Sequence, residues 1–406
     1  MVESRHPVGE ALVTIFVGLY NAEAYWNGLV SLIEAQTGRG YRWLLVDNAS
    51  SDDTWSSANV WAESSELDVT LVRSAFNLGS TGSVFVHFDL VSTEWAAFMH
   101  QDDVYLPEHF EVIETTARSA SPGAVCIFSD MGRVSHDGKV LGPYPPPAWM
   151  LPDLEPATLL LGLIRNHCIP WPTLAVRTAQ FRATETSWHS TAAPDTEVTL
   201  RLIAHGSFVH VAQETMRYRD NAKSESRSID NRERRFGETM SLLRTFESPE
   251  FADIALRLRR EDRSAFVVGL EHSVHSRMGM TEHAQIVISA AFERLDKLWD
   301  NAEPTVLSKL AGIYGSRGAS ATASLLDRMS IAAGGAFLPA SVDSSIPTAP
   351  EQDPDRLRSS PAIQVFRAYE RFGYLLPYRL RRSLAHLIIS TATRNNPLSA
   401  WRFQWR

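Results

Sequence analysis

Over the first hundred residues, apolar blocks alternate with polar turns in a regular rhythm. Ala11 to Gly18 (ALVTIFVG) is an apolar, β-branched run without polar alternation, which predicts a buried strand. A polar turn with Asn21 follows. From Ala24 to Ala35 the residues Tyr25, Leu29, Leu32 and Ile33 recur at helical spacing and predict an amphipathic helix. Trp43 to Val46 predicts a second buried strand, ending in Asp47. The DNASSDDT turn is rich in helix-capping residues and opens a helix running to about Ser64. Val69 to Val72 predicts a third strand, and Gly79 and Gly82 lie in a loop that opens a further helix. Trp95 to Met99 predicts a fourth strand, stopping at His100, Asp102 and Asp103. Such strand–helix repetition implies an α/β fold with a mostly parallel sheet covered by helices on both faces. Ligands of open parallel sheets bind beyond the carboxyl ends of the strands. Tyr20, Asp47, Arg73 and the His100–Asp103 cluster all fall at or just past such ends, so they are expected to converge on one crevice.

Beyond residue 110 the pattern is less regular. Ala124 to Phe128 and Phe208 to Val211 predict strands. The proline-rich PYPPPAW stretch at 143–149 predicts an irregular loop beside the crevice, because adjacent prolines remove backbone donors. Several helices are expected from Arg232 to about Arg317, and residues 339–361, rich in Pro, Ser and Asp, predict a linker. The expected division is therefore residues 1–230 as the α/β domain, 231–338 as a helical region, 339–361 as a linker, and 362–406 as a basic, aromatic C-terminal segment. Residues 361–406 hold eight Arg against one Glu, which leaves two readings open. One is a docking segment packed on the rest of the chain. The other is a peripheral membrane contact, with Arg side chains at anionic lipid head groups and Trp401, Phe403 and Trp405 at the boundary. Pro377 argues against one long helix there.

Composition narrows the function classes. The 406 residues are 44% hydrophobic, ample for a packed core, and the formal charge of −8 argues against a nucleic-acid partner. The two cysteines, Cys126 and Cys168, sit in apolar surroundings without a CxxC spacing and read as reduced, buried thiols. The polar N-terminus has no signal core, and no apolar run approaches the ~20 residues of a membrane span, so a cytoplasmic protein is expected.

Three segments carry candidate chemistry. In MHQDDVYLP, residues 99–107, two adjacent carboxylates leave an apolar strand. They can form a solvated turn with Asp103 capping the helix after Pro107, or hold a hard cation that neutralises a leaving diphosphate. In VDNASSDDT, residues 46–54, Asp52 or Asp53 can cap the next helix, whereas Asp47 directly follows a buried run and can accept a hydrogen bond from a base edge or ribose hydroxyl. In PDTEVTLRLIAHG, residues 194–206, Asp195 stands at a helix N-terminus as a cap or as a general base. Glu197 is the rival base, about 200° further round the helix. Downstream, Arg219 and Lys223 in the polar loop YRDNAKSES, residues 218–226, can contact phosphates or remain solvated.

In their order and spacing these segments resemble glycosyltransferase family 2, the inverting family with the GT-A, Rossmann-like fold. The resemblance covers roughly residues 11–225: Tyr20 and Asn21 after the first strand, VDNASSDDT, NLGSTG with Asn77, WAAFMHQDD, Asp195 before LRL, and YR in the closing stretch. It implies Tyr20 and Asp47 at the nucleotide base, Arg73 beside them, and Asn21, Asn77, Asp103 and Arg219 on the donor side. Asp102 matches the metal-binding carboxylate of the Asp-x-Asp motif, and Asp195 matches the base that deprotonates the acceptor hydroxyl. The implied cofactor is a divalent cation, Mn or Mg, held by Asp102 and His100. The implied partners are a UDP- or dTDP-sugar donor and a saccharide or lipid-linked acceptor, in cell-envelope polysaccharide or glycoconjugate synthesis. Several residues depart from the pattern. His100 replaces the first Asp of Asp-x-Asp, and imidazole suits Mn²⁺ better than Mg²⁺. Pro194 replaces an acid before the base, Asn221 a loop His, and Gly18 a Pro.

The His100 departure motivates an alternative: a non-catalytic nucleotide-sugar binding protein on a degenerate transferase fold. A nucleotidyltransferase needs a glycine-rich, basic phosphate loop after the first strand, which GLYNAEAYW is not, and no GxGxxG supports a dehydrogenase.

Overall fold

The computed structural model describes residues 11–38, 40–144, 155–165, 169–184, 194–220, 231–279 and 281–299. Its centre is a nine-stranded mixed sheet. The four strands expected from the apolar blocks are β1 (Val13–Leu19), β2 (Tyr41–Asp47), β3 (Val69–Arg73) and β4 (Trp95–His100). They pair in parallel in the order β3-β2-β1-β4, the handed crossovers being α1 (Trp26–Glu34), α2 (Thr54–Ser64) and α3 (Gly79–His87). Val13, Ile15, Val17 and Leu19 pack on one face and Phe16 on the other, so β1 is apolar on both sides, as its unalternating pattern required.

The first helix differs in detail from expectation. A short 3-10 turn at Glu23–Tyr25 precedes α1, and the buried face is Trp26, Leu29 and Ile33. The tighter pitch of that turn rotates Tyr25 out of the stripe and Trp26 into it.

The rest of the sheet is built from long strands. A two-residue strand β5 (Val104–Tyr105) leads into α4 (His109–Ser119). Then come β6 (Ala124–Ser135), β7 (Val140–Tyr144), α5 (Pro156–Arg165), β8 (Ala175–Arg177), α6 (Thr178–Ala183), α7 (Pro194–Leu202) and β9 (Ser207–Asp220). The sheet continues from β4 as β8-β6-β9-β5, with β7 paired to β6. β6 and β9 run parallel along most of their length, with register shifts near Ser129 and Asp130. Gly206 permits their start: a Cβ there would lie 2.1 Å from the Gly123 carbonyl oxygen.

Two expectations need correction. Pro143 and Tyr144 are not loop but the end of β7, where Pro143 lies opposite Gly132; an edge strand tolerates a residue without a donor. The remainder of the proline stretch, 145–149, lies outside the described residues. Tyr218 and Arg219 are likewise not loop but belong to β9, with Arg219 opposite Val134, because pairing with β6 carries that strand well past its apolar start.

Four helices close the described chain: α8 (Asn231–Glu247), α9 (Pro249–Arg257), α10 (Arg263–Met278) and α11 (Glu282–Leu298). They share one hydrophobic cluster with the sheet. Phe246, Phe251, Phe266 and Phe292 join Phe16, Phe98 and Phe128 of the strands and Leu160 of α5. The second cluster, on the opposite face, gathers Ile15, Trp43, Leu45 and Met99 against α1 and α4. The fold class expected from the sequence, a mostly parallel α/β sheet with a helical C-terminal region, is the one observed. The linker at 339–361 and the segment 362–406 fall outside the described residues, as does Cys168, while Cys126 is a buried free thiol.

Candidate active site at the carboxyl edge of the sheet

Strand register lines up the ends of β1–β4. Leu19 pairs with Asp47, Asp47 with Arg73, and Gly18 with His100. Three of the candidate side chains therefore leave the sheet in one row, with Tyr20 just beyond it.

Asp47 is fully buried. Its Oδ2 lies 3.2 Å from Arg73 Nε and accepts the Ser50 N–H at 3.3 Å. Burial raises its pKa, against the hydrogen bonds from Ser50 and the Arg73 charge. Its Oδ1 is buried without a hydrogen-bond partner. Arg73 also donates to the Ser50 carbonyl at 2.9 Å and lies over the Trp55 ring. Asp47 and Arg73 are thus engaged with each other as well as with the loop between β2 and α2.

That loop is tied down at several points. Asn21, at φ 47°, accepts the Ser51 N–H on its Oδ1 at 2.9 Å, and its own N–H donates to Ser50 Oγ. Ala49 has φ 58°, which a non-glycine residue adopts only when its surroundings enforce it. Asn48, which the sequence offered only as a turn residue, anchors the neighbouring backbone. Its Oδ1 accepts the Leu78 N–H at 2.8 Å and its Nδ2 donates to Asn77 Oδ1 and the Gly79 carbonyl at 3.0 Å each. Asn77 in turn accepts the Gly79 N–H at 2.7 Å, at the start of α3. A buried amide directly after Asp47 was the available signal.

Gln101 was missed as well. Its Oε1 accepts the Tyr20 N–H at 2.9 Å and its Nε2 donates to the Tyr20 carbonyl at 3.0 Å. This paired bond clips the end of β1 to the end of β4 and holds Tyr20, partly buried, at the rim. The middle position of H-Q-D-D gave the cue.

His100, Asp102 and Asp103 offer ligand atoms that all lie within 4.8 Å of one another. Asp103 is buried and does not cap α4, which starts at His109; its Oδ1 instead accepts the Arg219 N–H at 2.8 Å. Its Oδ2 has no hydrogen-bond partner and sits 3.4 Å from His100 Nδ1. Arg219 braces the same turn, donating to the Asp102 carbonyl at 2.8 Å and the His136 carbonyl at 3.1 Å. Burial raises the Asp102 pKa and the Asp103 charge adds to this, against His100 and Arg219. Burial would lower the His100 pKa, but the adjacent Asp103 carboxylate and the Asp102 and Asp195 charges outweigh it and the net shift is upward. Two carboxylates and an imidazole, one carboxylate oxygen being buried and unbonded, form a donor set that fits a divalent cation.

Asp195 lies in the first turn of α7, just after Pro194, and accepts the Thr196 N–H on Oδ1 at 2.9 Å. Its charge contributes, after those of Asp103 and Asp102, to the upward shift of the His100 pKa. Glu197 faces elsewhere: it is buried, with Oε1 2.8 Å from Arg201 and Oε2 2.8 Å from Arg244. Lys223 and Asn221 lie outside the described residues.

Residues 14–142, which span β1–β6 and the row just described, match the profile of Glycosyl transferase family 2. Over this third of the chain the protein is similar to glycosyl transferase family 2. A curated relative, an "Uncharacterized glycosyltransferase" of Haemophilus influenzae, is 31% identical over 106 residues, or 26% of this chain and 32% of that one. The chain therefore matches about a third of that relative's length. Among solved structures, Staphylococcus aureus TarS 1–349 in complex with UDP-GlcNAc is similar with a TM-score of 0.45 at 14% identity, over 70% of this chain and 89% of that one. The mannosyltransferase PcManGT of Pyrobaculum calidifontis, in complex with GDP-Man and Mn²⁺, is similar with a TM-score of 0.44 at 14% identity, over 82% and 88%. At that level of likeness nothing about ligands transfers. The matched residues include every candidate donor-side residue except Arg219; Asp195 lies C-terminal to them. Among the described residues no helix is long and apolar enough to cross a membrane.

Proposed function

We propose that this protein is an inverting glycosyltransferase that moves a sugar from a UDP- or dTDP-sugar to an acceptor hydroxyl. The observation that carries the reading is the His100–Asp102–Asp103 cluster at the carboxyl edge of the sheet, within the residues that match family 2. Asp102 and His100 hold a divalent cation, with Asp103 behind them; Mn²⁺ suits the imidazole better than Mg²⁺. Bound there, the cation supplies positive charge against the leaving diphosphate. Tyr20 stacks on the nucleotide base, and the Asp47–Arg73 pair, with Asn21 and Asn77 bracing its loop, forms the base side. Arg219 serves the donor side by holding the 102–103 turn.

In the reaction the acceptor oxygen attacks the anomeric carbon from the face opposite the diphosphate. The carbon–oxygen bond to the diphosphate breaks, its electron pair leaves with the nucleoside diphosphate, and the acceptor proton passes to Asp195. No covalent sugar–enzyme intermediate forms. The acceptor is a saccharide or lipid-linked saccharide of cell-envelope synthesis, and the chain works in the cytoplasm, with 362–406 touching the inner membrane face. The close contact of His100 with Asp103 favours one second reading, a protein that binds nucleotide sugars without turnover. Incubation with a panel of nucleotide sugars and Mn²⁺ separates the two. Slow release of nucleoside diphosphate from one donor is expected; tight binding with no release from any donor supports the second reading, and no binding at all overturns both.

A further inference from the structure

Helix α7 is gripped from the side opposite the crevice. Its apolar residues Val198, Leu200 and Leu202 lie in the shared core, but apolar packing is non-directional and does not by itself fix the rotation of a helix. Polar contacts from the C-terminal helices supply direction. Glu197, Arg201 and Arg244 expose only 2%, 7% and 9% of their side chains, and each Glu197 oxygen receives one guanidinium at 2.8 Å. Arg244 belongs to α8, so this pair joins α7 to the helical layer.

A second arginine reaches the same turn. Arg277, near the end of α10, lies 3.5 Å from Thr196 Oγ1, 3.4 Å from the Leu163 carbonyl and 3.5 Å from the Ile164 carbonyl of α5. It is also 3.5 Å from Glu238 of α8. Thr196 and Glu197, the two residues held in this way, directly follow Asp195, and the Thr196 N–H is bonded to the Asp195 carboxylate. Two arginines from two different helices thus converge on the first turn of α7.

Burying such charges gains little stability over an apolar filling, so their presence calls for a further role. We infer that Arg244 and Arg277 are positioning residues, through which the helical layer fixes the rotation of α7 and aims Asp195 into the crevice. The inference rests on Asp195 being the base. It gives residues 231–279 a part in the chemistry although none of them touches the reacting atoms. Charge-assisted, two-point bonds are directional, and a misplacement of about 1 Å at a reacting group costs on the order of 100-fold in rate.

The test uses the full chain with Arg244→Met, which keeps length and removes charge, and Arg244→Lys, which restores charge without the planar guanidinium. Three quantities are measured: amide hydrogen exchange over 195–200, UDP affinity in Mn²⁺, and the rate of nucleotide-sugar hydrolysis. In Arg244→Met, exchange over 195–200 is expected to quicken about tenfold, as for loss of a charge-assisted bond, with β1 and β2 unchanged. Hydrolysis falls about 10- to 100-fold, UDP affinity stays within about twofold, and Arg244→Lys recovers part of the rate. If Arg244→Met fails to fold, Glu197→Gln, which keeps shape and weakens both bonds, is measured in its place with the same expectation. Unchanged exchange over 195–200, or a folded variant of wild-type rate, overturns the inference and leaves the pair as packing. A wild-type chain that hydrolyses no nucleotide sugar overturns the proposed reaction instead, and the exchange measurement then still decides whether the helical layer holds α7.

Discussion

The two halves of the sheet place their functional side chains by different means. In β1–β4 backbone register does the work: Asp47, Arg73 and His100 stand in one row because parallel strands of similar length end together. In β5–β9 and α7 placement depends on contacts distant in sequence. Asp103 is fixed by Arg219, 116 residues away, and Glu197 by Arg244, 47 residues away. A site assembled by register is carried by local hydrophobic pattern. A site assembled by buried ion pairs is carried by residues that look, in sequence, like ordinary charges.

Asp195 and Glu197 put that contrast to its strongest test, being neighbours with opposite surroundings. Asp195→Asn keeps size and capping ability but cannot take a proton. Turnover is expected to fall on the order of 10²–10⁴-fold, with nucleotide affinity nearly unchanged, as for loss of a positioned general base. Glu197→Gln is expected to lower the melting temperature and to act on rate only through the position of α7. Steady-state kinetics with calorimetric titration of UDP separate them, and an undiminished rate in Asp195→Asn removes that residue as base.

The next largest effect concerns the metal cluster, where the two modes of placement meet. Asp102→Asn removes a negative ligand and is expected to lower turnover on the order of 100-fold, about 2.7 kcal/mol of lost charge stabilisation. EDTA on the wild-type chain is expected to do the same, reversed by Mn²⁺. Full activity in EDTA removes the cation from the reaction.

How far each half could be read from sequence follows from these mechanisms. The buried runs from Val13 to His100 were legible because an apolar stretch between capping turns has few other solutions. Asp47 stood out as an acid against a buried run, and its closure by Arg73 did not, because it depends on strand order. β9 was read only at its apolar start; its extension through Arg219 is imposed by pairing with β6. Gln101 and Asn48 act through side-chain amides on distant backbone, which leaves no periodic trace. Helical geometry set Asp195 and Glu197 on different sides of α7, while Arg244 gave no hint that it would stand behind Glu197.

A smaller effect marks the seam between the halves. His109 of α4 is fully buried, its Nδ1 2.6 Å from Thr215 Oγ1 of β9, and burial lowers its pKa to about 3. The folded value lies below the unfolded value of about 6.5. Between those two values the unfolded chain binds the extra proton, so stability falls as pH drops from about 6.5 towards 3, by up to about 1.4 kcal/mol per pH unit from this group. It is fully present above that window. Urea unfolding at several pH values is expected to show the slope in the wild type and a shallower one in His109→Gln. Equal slopes would mean that His109 titrates freely.

The smallest effect lies within the register-built half and decides between adjacent acids that sequence could not tell apart. Asp52 and Asp53 both precede α2, and either can cap it. Asp53 occupies the cap position but makes no side-chain bond there. Asp52 does the bonding: its Oδ1 accepts the Thr54 N–H at 3.1 Å and the Thr54 hydroxyl at 2.6 Å, and its Oδ2 accepts the Glu23 N–H at 3.2 Å. It therefore joins the turn after β1 to the turn after β2. Burial raises the Asp52 pKa, but the bonds from Thr54 and Glu23 outweigh it and the net shift is downward. A folded value below the unfolded one means that this stabilisation is present above the unfolded pKa of about 3.9 and is lost as pH falls through the folded value. Asp52→Ala is expected to cost about 1 kcal/mol at neutral pH, the range of a lost cap, and Asp53→Ala less than about 0.5 kcal/mol. Equal losses from the two variants in urea titrations would show that the helix start is held by charge near its N-terminus and not by these particular bonds.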